Sequence, residues 1–362
     1  MKESYKLIEN TPTVLGFRMP AEWEPHEATW ISWPHNHTDW LEKFSSIPSA
    51  YAQLVSKIAP GEMVRILVNS DMIRAQAQQS LRDIGVDMAA IEFFEIPTNR
   101  SWTRDFGPIF VQRYDRSDQV AIVRFRFNGW ARYPDWEKDD AIPEQVAHRL
   151  DFPLFNARIN TKDIVLEGGS IDVNGRGTLL TTEECLLDRE VQVRNPDLNK
   201  EEVEIALHDY LGVSNILWLG RGIVGDDTHG HIDDFCRFVR PDTVVLCQER
   251  DPKDINYAPL EENRERLEGM RLEDGSRIEI ARLPMPAPLY LNESRLPATY
   301  ANFYISNAAV LVPTFNDAND RIALGILSEL FTDRPVIGIH AGEMVWGFGT
   351  LHCATQQQPI KR

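Results

Sequence analysis

Five short segments of the sequence share one pattern, in which a strand or a strand end carries polar residues beside glycine or aromatic residues. They are WTRDFGPIFV, LEGGSIDVNG, HGHIDDFCRFV, NFYISNAAVLVP and LHCATQQQP. One polar residue from each, namely Asp105, Glu167, His231, Asn302 and Cys353, gives gaps of 62, 64, 71 and 51 residues. This near-regular spacing predicts a repeated unit and a closed, radially repeated architecture, with one polar strand end from each unit at a shared centre. The units share negligible sequence identity, so chance spacing stays an alternative.

Strand-like and helix-like segments alternate along the chain, which is typical of an α/β protein. We predict a strand over Val64–Ser70 and a helix over Asp71–Gly85, with Asp71 as the N-cap and Gly85 as the stop. A second helix is predicted over Asn195–Val213 and a third after a polar loop in DPKDINYAPLEENRERLEGM. Further strands are predicted in IEFFEIP, GPIFVQR, DTVVLCQE and NAAVLVPTF. No linker is evident, so a single domain over residues 1–362 is expected.

Charge and cysteine content narrow the classes of function. The 362 residues carry a formal net charge of −17 and no block rich in lysine and arginine, so no nucleic-acid partner is expected. The acidity weakly favours a cationic small molecule, with solubility alone as the alternative explanation. The four cysteines form no C-x-x-C pair, and neither a secretory signal nor a membrane-spanning run is found. We therefore expect a reducing cytoplasm and no membrane contact.

A polar set drawn from these segments suits the chemistry of a guanidinium group; it comprises Asp105, Glu167, His231, Asp233 and Cys353. Two carboxylates can grip the nitrogens of this planar cation and leave its carbon open. A thiolate can then attack that carbon, while a histidine protonates the departing ammonia and afterwards deprotonates water. A third carboxylate can orient the histidine and raise its pKa.

The segment HGHIDDFCRF allows more than one interpretation. If it is a strand, His229, His231 and Asp233 point to one face, because side chains alternate with period 2. His231 and Asp233 would then enter one pocket, for proton transfer and for binding. Two histidines and an acid can also ligate zinc or iron, and a structural role is a third interpretation. No other histidine-rich segment completes a ligand set, which disfavours the metal.

The other members each have a plainer interpretation when taken alone. Arg104 and Asp105 before a Gly-Pro pair also fit a surface ion pair and a turn. Glu167 before two glycines fits a strand-edge turn, as well as a backbone that approaches a ligand closely. A lone cysteine such as Cys353 is commonly a small buried hydrophobic residue. Its glycine- and amide-rich setting nevertheless does not suit an apolar core.

Together the segments resemble the agmatine deiminase family, also called the Porphyromonas-type peptidylarginine deiminase family. The resemblance runs nearly end to end, through GFRMPAEWEPHEATWISWP, WTRDFGPIFV, FNGW, LEGGSIDVNGRGTLLTTEECLL, GDDTHGHIDDFCRF, NFYI and HCATQQQP. It implies hydrolysis of a guanidine C–N bond, for agmatine to N-carbamoylputrescine and ammonia, with no metal or organic cofactor. It also implies a five-bladed pseudo-symmetric α/β propeller, the pentein fold, built from ββαβ-type units.

The resemblance implies a role for each member of the polar set. Cys353 would be the nucleophile that forms a thiouronium, with His231 as general acid and base. Glu167 would pair with His231, and the guanidinium would lie between Asp105 and Asp233. Other residues are expected near the substrate on weaker grounds: Trp102 and Trp30 by analogy, and Asp227 as a carboxylate suited to an amine tail.

The sequence departs from the family pattern beside the site. Arg100 stands where an acid is usual, and His229 where asparagine is usual. We expect Arg100 to be a solvated surface residue, the alternative being a contact with a carboxylate-bearing substrate.

Rival functions are a deiminase of peptidyl or free arginine, an amidinotransferase, a metal-dependent hydrolase using His229, His231 and Asp233, and a guanidine-binding module. The expected partner is a small guanidinium compound. The oligomeric state is left open, with a homo-oligomer among the options.

Overall fold

The computed structural model describes residues 10–116 and 119–361. The prediction that the N-terminal segment is not a secretory signal concerns residues that lie largely outside these ranges. Among these residues, no helix combines the length and the apolar character needed to cross a membrane. The α-helices are α1 (Ile47–Ile58), α2 (Asp71–Asp83), α3 (Thr103–Phe106), α4 (Glu137–Asp140), α5 (Ile142–Leu150), α6 (Glu183–Leu187), α7 (Lys200–Leu211), α8 (Tyr257–Gly269) and α9 (Asp320–Leu330).

The strands are short, as expected for sheets of this size. They are β1 (Phe17–Arg18), β2 (His26–Ser32), β3 (Met63–Val68), β4 (Ile91–Glu95), β5 (Ile109–Arg113), β6 (Val120–Arg124), β7 (Leu154–Asn156), β8 (Arg158–Ile159), β9 (Lys162–Asp163), β10 (Asp172–Val173), β11 (Thr178–Thr182), β12 (Asn215–Leu219), β13 (Cys236–Arg240), β14 (Thr243–Gln248), β15 (Glu279–Pro284), β16 (Tyr290–Leu291), β17 (Ser294–Arg295), β18 (Tyr304–Ile305), β19 (Val310–Thr314), β20 (Val336–His340) and β21 (Gln356–Pro359).

Five sheets repeat one topology, in which an antiparallel pair is followed by a parallel partner. Their strand orders are β21-β2-β3-β4, β1-β5-β6-β7, β10-β11-β12, β13-β14-β15 and β18-β19-β20. At least one α-helix lies between the two parallel strands of each sheet, as a parallel connection requires. The protein is therefore α/β, and its strands form separate small sheets rather than one closed sheet in the part of the chain described.

The five segments that opened the sequence analysis occupy equivalent positions in these sheets. Asp105, Glu167, His231, Asn302 and Cys353 each lie within a few residues before the first antiparallel strand of a different sheet: β5, β10, β13, β18 and β21, in that order. The polar residues thus sit at the entry to the strands, where the backbone turns and side chains can leave the sheet.

The predicted helices and strands are found with shifted ends. The strand predicted over Val64–Ser70 is β3, and the helix predicted to start with Asp71 as its N-cap is α2. The cap is Ser70 instead, because its side chain accepts the backbone N–H of Ile73. The helix predicted over Asn195–Val213 is the shorter α7, which starts at a capping box.

Two buried apolar clusters form the core. The larger one contains residues of β2, β3 and β4 together with α1, and it extends through β13, β14, β18 and β19 to Cys353. The smaller one lies between the β1-β5-β6-β7 sheet, β10, β11 and α7. The catalytic candidates therefore rest against a packed core, which limits how far their backbones can move.

The capping box of α7 gives a test of local stability. Asn199 accepts the Glu202 N–H at 3.0 Å, and the Glu202 carboxylate accepts the Asn199 N–H at 2.8 Å. We expect Asn199→Ala to lower the free energy of unfolding by about 1 kcal/mol, measured by urea denaturation. The exposed neighbour Glu201 makes no such cap, so Glu201→Ala should change it by less than about 0.5 kcal/mol. Equal losses in both variants would contradict the assignment of the cap.

Candidate active site

The polar set predicted from the sequence comes together in one buried cluster. Asp105, Glu167, His231 and Asp233 are at most 5% exposed, and Cys353 is 7% exposed. Cys353 and Asp105 open onto a cavity lined by Thr38, Asp39, Arg100, Trp102, Asp105, Trp130, Tyr133, Asp227, Thr228, Gly347, Phe348, Gly349 and Cys353. His231, Glu167 and Asp233 lie behind this lining.

Backbone contacts fix the two halves of the cluster against each other. Asp105 belongs to the single turn α3, and Cys353 to the turn before β21. The N–H of Arg104 donates to the carbonyl of Cys353 at 3.0 Å, which ties these two turns together. The Arg104 side chain is buried and donates to Gln357 at 2.7 Å, so the surface ion pair considered from the sequence is wrong.

Asp105 is held by two donors from different segments. The Gly169 N–H donates to Oδ1 at 3.1 Å, and the indole N–H of Trp130 donates to Oδ2 at 2.9 Å. Burial raises the pKa of Asp105 to about 7; His231 opposes this rise, and the nearby carboxylates of Asp233 and Glu167 add to it. The negative charge of these carboxylates is therefore not fully neutralised by His231.

His231 lies among three carboxylates. Its Nδ1 is 3.7 Å from Asp105 and 3.9 Å from Asp233, and its Nε2 is 3.6 Å from Glu167. Burial alone would lower the pKa of His231, but Asp105, with Cys185 and Glu167, raises it well above its usual value. The surrounding carboxylates therefore favour the protonated ring, whose Nδ1 is the nitrogen that faces Asp105 and Asp233.

Arg194 keeps Glu167 ionised. Its Nε donates to Glu167 at 3.0 Å, and both side chains are fully buried. Burial raises the pKa of Glu167, but Arg194 and His231 outweigh it and bring it to about 2. The other donors of Arg194 reach the carbonyls of Gln192 and Thr228, so the same guanidinium ties Glu167 to the loop that lines the cavity.

Cys353 lies between the side-chain amide of Asn302 and the carboxylate of Asp233. The Asn302 amide N–H donates to its Sγ at 3.1 Å, and Asp233 Oδ2 lies 3.8 Å away. Burial and the carboxylates of Asp233, Asp234 and Asp105 raise the pKa of Cys353 well above its usual value. A cation bound beside the thiol would counter that effect, because it offsets the neighbouring negative charge.

Asp233 is oriented from behind by a histidine. His352 Nδ1 lies 2.7 Å from Asp233 Oδ2, and His352 Nε2 lies 2.8 Å from Glu22. Each ring nitrogen thus faces a carboxylate oxygen, so His352 bridges Asp233 and Glu22. Asp233 Oδ1 has no hydrogen-bond partner among the described residues. One oxygen of Asp233 is thus clamped and the other is free to accept a ligand N–H.

The strand assumed for HGHIDDFCRF is found only from Cys236 onward, as part of β13. His229 and Gly230 have left-handed φ values of 66° and 90°, and a 3₁₀ turn follows at Ile232–Asp234. His229 turns away and its Nε2 lies 2.8 Å from Asp188. The proposed metal set of His229, His231 and Asp233 is therefore wrong, because only the last two share the cluster.

Two other trios bring metal-ligating atoms close together in the described part of the chain. Glu167, Cys185 and His231 form one, and Asp233, Asp234 and Cys353 form the other. Glu167 is already paired with Arg194, which disfavours a cation in the first trio. Both trios lie within the cluster described above, so chelation is a fair test of metal dependence.

The comparisons with known proteins agree with this arrangement. The chain matches, over residues 18–359, the sequence model of the family described as Porphyromonas-type peptidyl-arginine deiminase. The chain belongs to this family. It is 37% identical over 377 residues to an agmatine deiminase of Pseudomonas aeruginosa, with 98% of each chain covered. The family resemblance predicted from the sequence is confirmed.

Further relatives extend the match to plants and to solved structures. An agmatine deiminase of Medicago truncatula is 37% identical, with 97% of this chain and 99% of the relative covered. The solved agmatine deiminase of Enterococcus faecalis is 31% identical and superposes with a TM-score of 0.90, over 99% of this chain and 100% of that one. Both similarities span the whole candidate site of this Porphyromonas-type deiminase family member.

The weaker site predictions have mixed outcomes. Trp102 and Asp227 line the cavity. Trp30 does not; its indole N–H donates to Gln358 at 2.9 Å and its ring packs against Phe94 in the core, so the channel position expected for it is wrong. Arg100 is also not a solvated residue. It is 9% exposed and lines the cavity.

Sequence reasoning missed the residues that support the cluster from behind. Arg194, His352 and Glu22 make their decisive contacts with residues far away in the chain. His352 could have been predicted from its position next to Cys353, and Glu22 from its place in the opening block EWEPHE. No local signal marks Arg194.

Gly169 provides a direct test of the cluster's geometry. A Cβ there would lie 2.6 Å from His231 Nδ1 and 2.7 Å from Asp105 Oδ1. We expect Gly169→Ala to lower deiminase activity by about 100-fold, because displaced reacting groups lose their alignment. Gly325→Ala is the control, since a Cβ at that position in α9 meets nothing within 4 Å. Unchanged steady-state activity in Gly169→Ala would show that the observed spacing does not matter.

Proposed function

We propose that the protein is an agmatine deiminase, which hydrolyses agmatine to N-carbamoylputrescine and ammonia. The observation that carries the proposal is the meeting of a cavity-facing thiol with two carboxylates and a buried, protonated histidine. The agmatine deiminases of Pseudomonas aeruginosa and Medicago truncatula support it by their similarity over nearly the whole chain.

In this proposal the substrate guanidinium lies between Asp105 and Asp233. Asp233 offers its free Oδ1, and Asp105 keeps a lone pair on each oxygen beyond the bonds from Gly169 and Trp130. Paired N–H bonds to carboxylates are the strongest recognition that a guanidinium finds in a protein. The cation would also satisfy the negative charge that the buried cluster holds in its absence.

Binding of the cation activates Cys353. The thiol has a raised pKa in the free protein because of burial and the surrounding carboxylates. A guanidinium beside it offsets these charges, so the thiol loses its proton to solvent when substrate enters. The thiolate then adds to the guanidinium carbon and forms the C–S bond.

Proton transfer by His231 completes both halves of the reaction. His231 first donates a proton to the leaving amino group, the C–N bond breaks, and ammonia departs from an S-linked thiouronium. His231 then takes a proton from water as that water attacks the carbon and forms a C–O bond. The C–S bond breaks and the thiolate is restored. The hydroxyl of the intermediate loses its proton as the C=O of the product forms, and the released ammonia takes up this proton to become ammonium. Glu167 holds the histidine in position from its Nε2 side.

The charges at the cavity mouth favour an amine tail over a carboxylate tail. Arg100 donates to Asp39 at 2.6 Å and to Asp135 at 2.8 Å, and its guanidinium lies 4.3 Å from the Tyr133 ring centroid. A substrate carboxylate would have to displace these acids to reach the arginine. Agmatine is therefore preferred to free arginine, and an arginine deiminase is the second candidate.

The proposal also includes the fold, the domain organisation and the cellular compartment. We propose that the five repeated sheets form a five-bladed α/β propeller, in which each blade contributes one of the five anchor residues to the centre. The whole chain, residues 1–362, would be one catalytic domain. Four free, buried thiols suit a reducing cytoplasm.

Ammonia release tests the substrate directly. We expect EDTA-treated protein to release ammonia from agmatine, and at most about one-hundredth as fast from free arginine or an arginine-terminated peptide. Comparable release from free arginine would move the assignment to arginine deiminase. Loss of all activity after chelation, with recovery on adding zinc, would support the metal-dependent alternative.

Two serine variants test the nucleophile. Cys353→Ser should lower turnover of agmatine by at least about 1,000-fold, because an alcohol is a far weaker nucleophile than a thiolate. Cys247→Ser is the matched control, since this buried thiol contacts Thr299 and lies outside the cavity lining. Wild-type turnover by Cys353→Ser would contradict the covalent route.

The clamp behind Asp233 gives a further test. His352→Gln should raise KM for agmatine by about tenfold or more and lower kcat less, since Asp233 meets the substrate before and during the reaction. His26→Gln is the control: this buried histidine contacts Glu62 at 3.0 Å and the Glu22 carbonyl at 2.7 Å. If both variants lose stability and neither changes KM, His352 has only a structural role.

A further inference from the structure

One carboxylate in the cavity lining has an oxygen without a hydrogen-bond partner. Asp39 lines the cavity, and its side chain is almost completely buried. Its Oδ1 accepts from Arg100 at 2.6 Å. Its Oδ2 is buried and has no hydrogen-bond partner among the described residues. An oxygen in that state is costly unless a ligand satisfies it.

The charges around Asp39 do not cancel. Arg100 is shared between Asp39 and Asp135, so a single cation faces two carboxylates. Burial raises the pKa of Asp39 to about 7; Arg100 opposes the rise and Asp135 adds to it. A second cation at the mouth would stabilise the ionised form of Asp39.

Asp227, another carboxylate of the cavity lining, has a partner on each of its two oxygens. Asp227 Oδ2 accepts the Tyr133 hydroxyl at 2.6 Å, and Asp227 Oδ1 lies 3.3 Å from Arg132. A ligand ammonium at Asp227 would compete with both contacts. Asp39 can accept one without giving up its bond to Arg100.

We propose that Asp39 binds the ammonium end of the substrate and thereby selects an amine-tailed guanidine. This inference rests on the proposed function and names a residue for the substrate's tail. Trp102 and Phe348 also line the cavity and offer apolar surface to the methylene chain between the two charged ends. Arg100 then acts as the support that fixes Asp39, rather than as a contact for the substrate.

A substrate without the amine separates this role from a general effect on the site. We would measure kcat and KM of Asp39→Asn with agmatine and with n-butylguanidine, which has the same chain and no ammonium. KM for agmatine should rise about 10- to 100-fold, the loss of one charge-assisted hydrogen bond. KM for n-butylguanidine should stay within about 2-fold, because its tail makes no bond to Asp39.

Asp135→Asn is the matched control. It removes the other carboxylate partner of Arg100, but Asp135 is 43% exposed in its side chain and does not line the cavity. Its KM for both substrates should stay within about 2-fold, since exposed ion pairs contribute little. Thermal unfolding of both variants reports whether either one loses its fold.

Three results would overturn the inference. An equal rise in KM for both substrates in Asp39→Asn would assign the residue to the architecture of the mouth. A selective loss in Asp227→Asn instead would move the ammonium to that residue. An unchanged KM for agmatine in both Asp39→Asn and Asp227→Asn would show that neither carboxylate binds the ammonium end. In each case the wild-type protein still releases ammonia from agmatine, whereas failure of the proposed function would abolish that release.

Discussion

Buried negative charge around one thiol is the constraint on which the site depends. Asp105, Asp233 and Glu167 are buried around His231, and Asp233 Oδ2 lies 3.8 Å from the Cys353 thiol. Buried carboxylates are costly unless they are paired or hydrogen-bonded. Protein groups neutralise these carboxylates only in part. In the proposed function, the guanidinium of the substrate supplies the missing positive charge.

The charges of the carboxylates are balanced unequally, and the proposed roles rest on this inequality. Glu167 has a dedicated arginine, so it stays ionised and can orient His231. Asp233 has His352 on Oδ2, and its Oδ1 has no hydrogen-bond partner among the described residues. Asp105 accepts hydrogen bonds from the neutral donors of Gly169 and Trp130, with His231 3.7 Å away, and its pKa is raised to about 7. A guanidinium fits the gap because it supplies both the missing charge and paired donors in one plane.

The sequence was informative about the polar residues that meet in the candidate site and less so about the residues that support them. The anchors Asp105, Glu167, His231 and Cys353 could be predicted because each lies beside a turn signal at the start of a strand, and those turns recur along the chain. The alternation assumed around His229 failed, since two left-handed residues reverse the backbone there.

The supporting residues could not be predicted from local pattern. Arg194, Glu22 and Asp39 contact partners that lie 27, 330 and 61 residues away in the chain, in that order. Arg100 shows the same limit: a lone arginine in a polar stretch suggests a surface, yet two acids and an aromatic ring bury it. Trp30 shows the converse, because a family block carries core residues as well as site residues.

In the proposed mechanism, the guanidinium carbon of the substrate becomes bonded to Cys353 during turnover. The most direct measurement is rapid acid quenching of the protein with agmatine, followed by mass spectrometry of the peptide that contains Cys353. The account predicts a transient adduct with the mass of agmatine less one ammonia, on Cys353 and on no other residue. A protein that turns over agmatine while Cys353 stays unmodified at every quench time would contradict it.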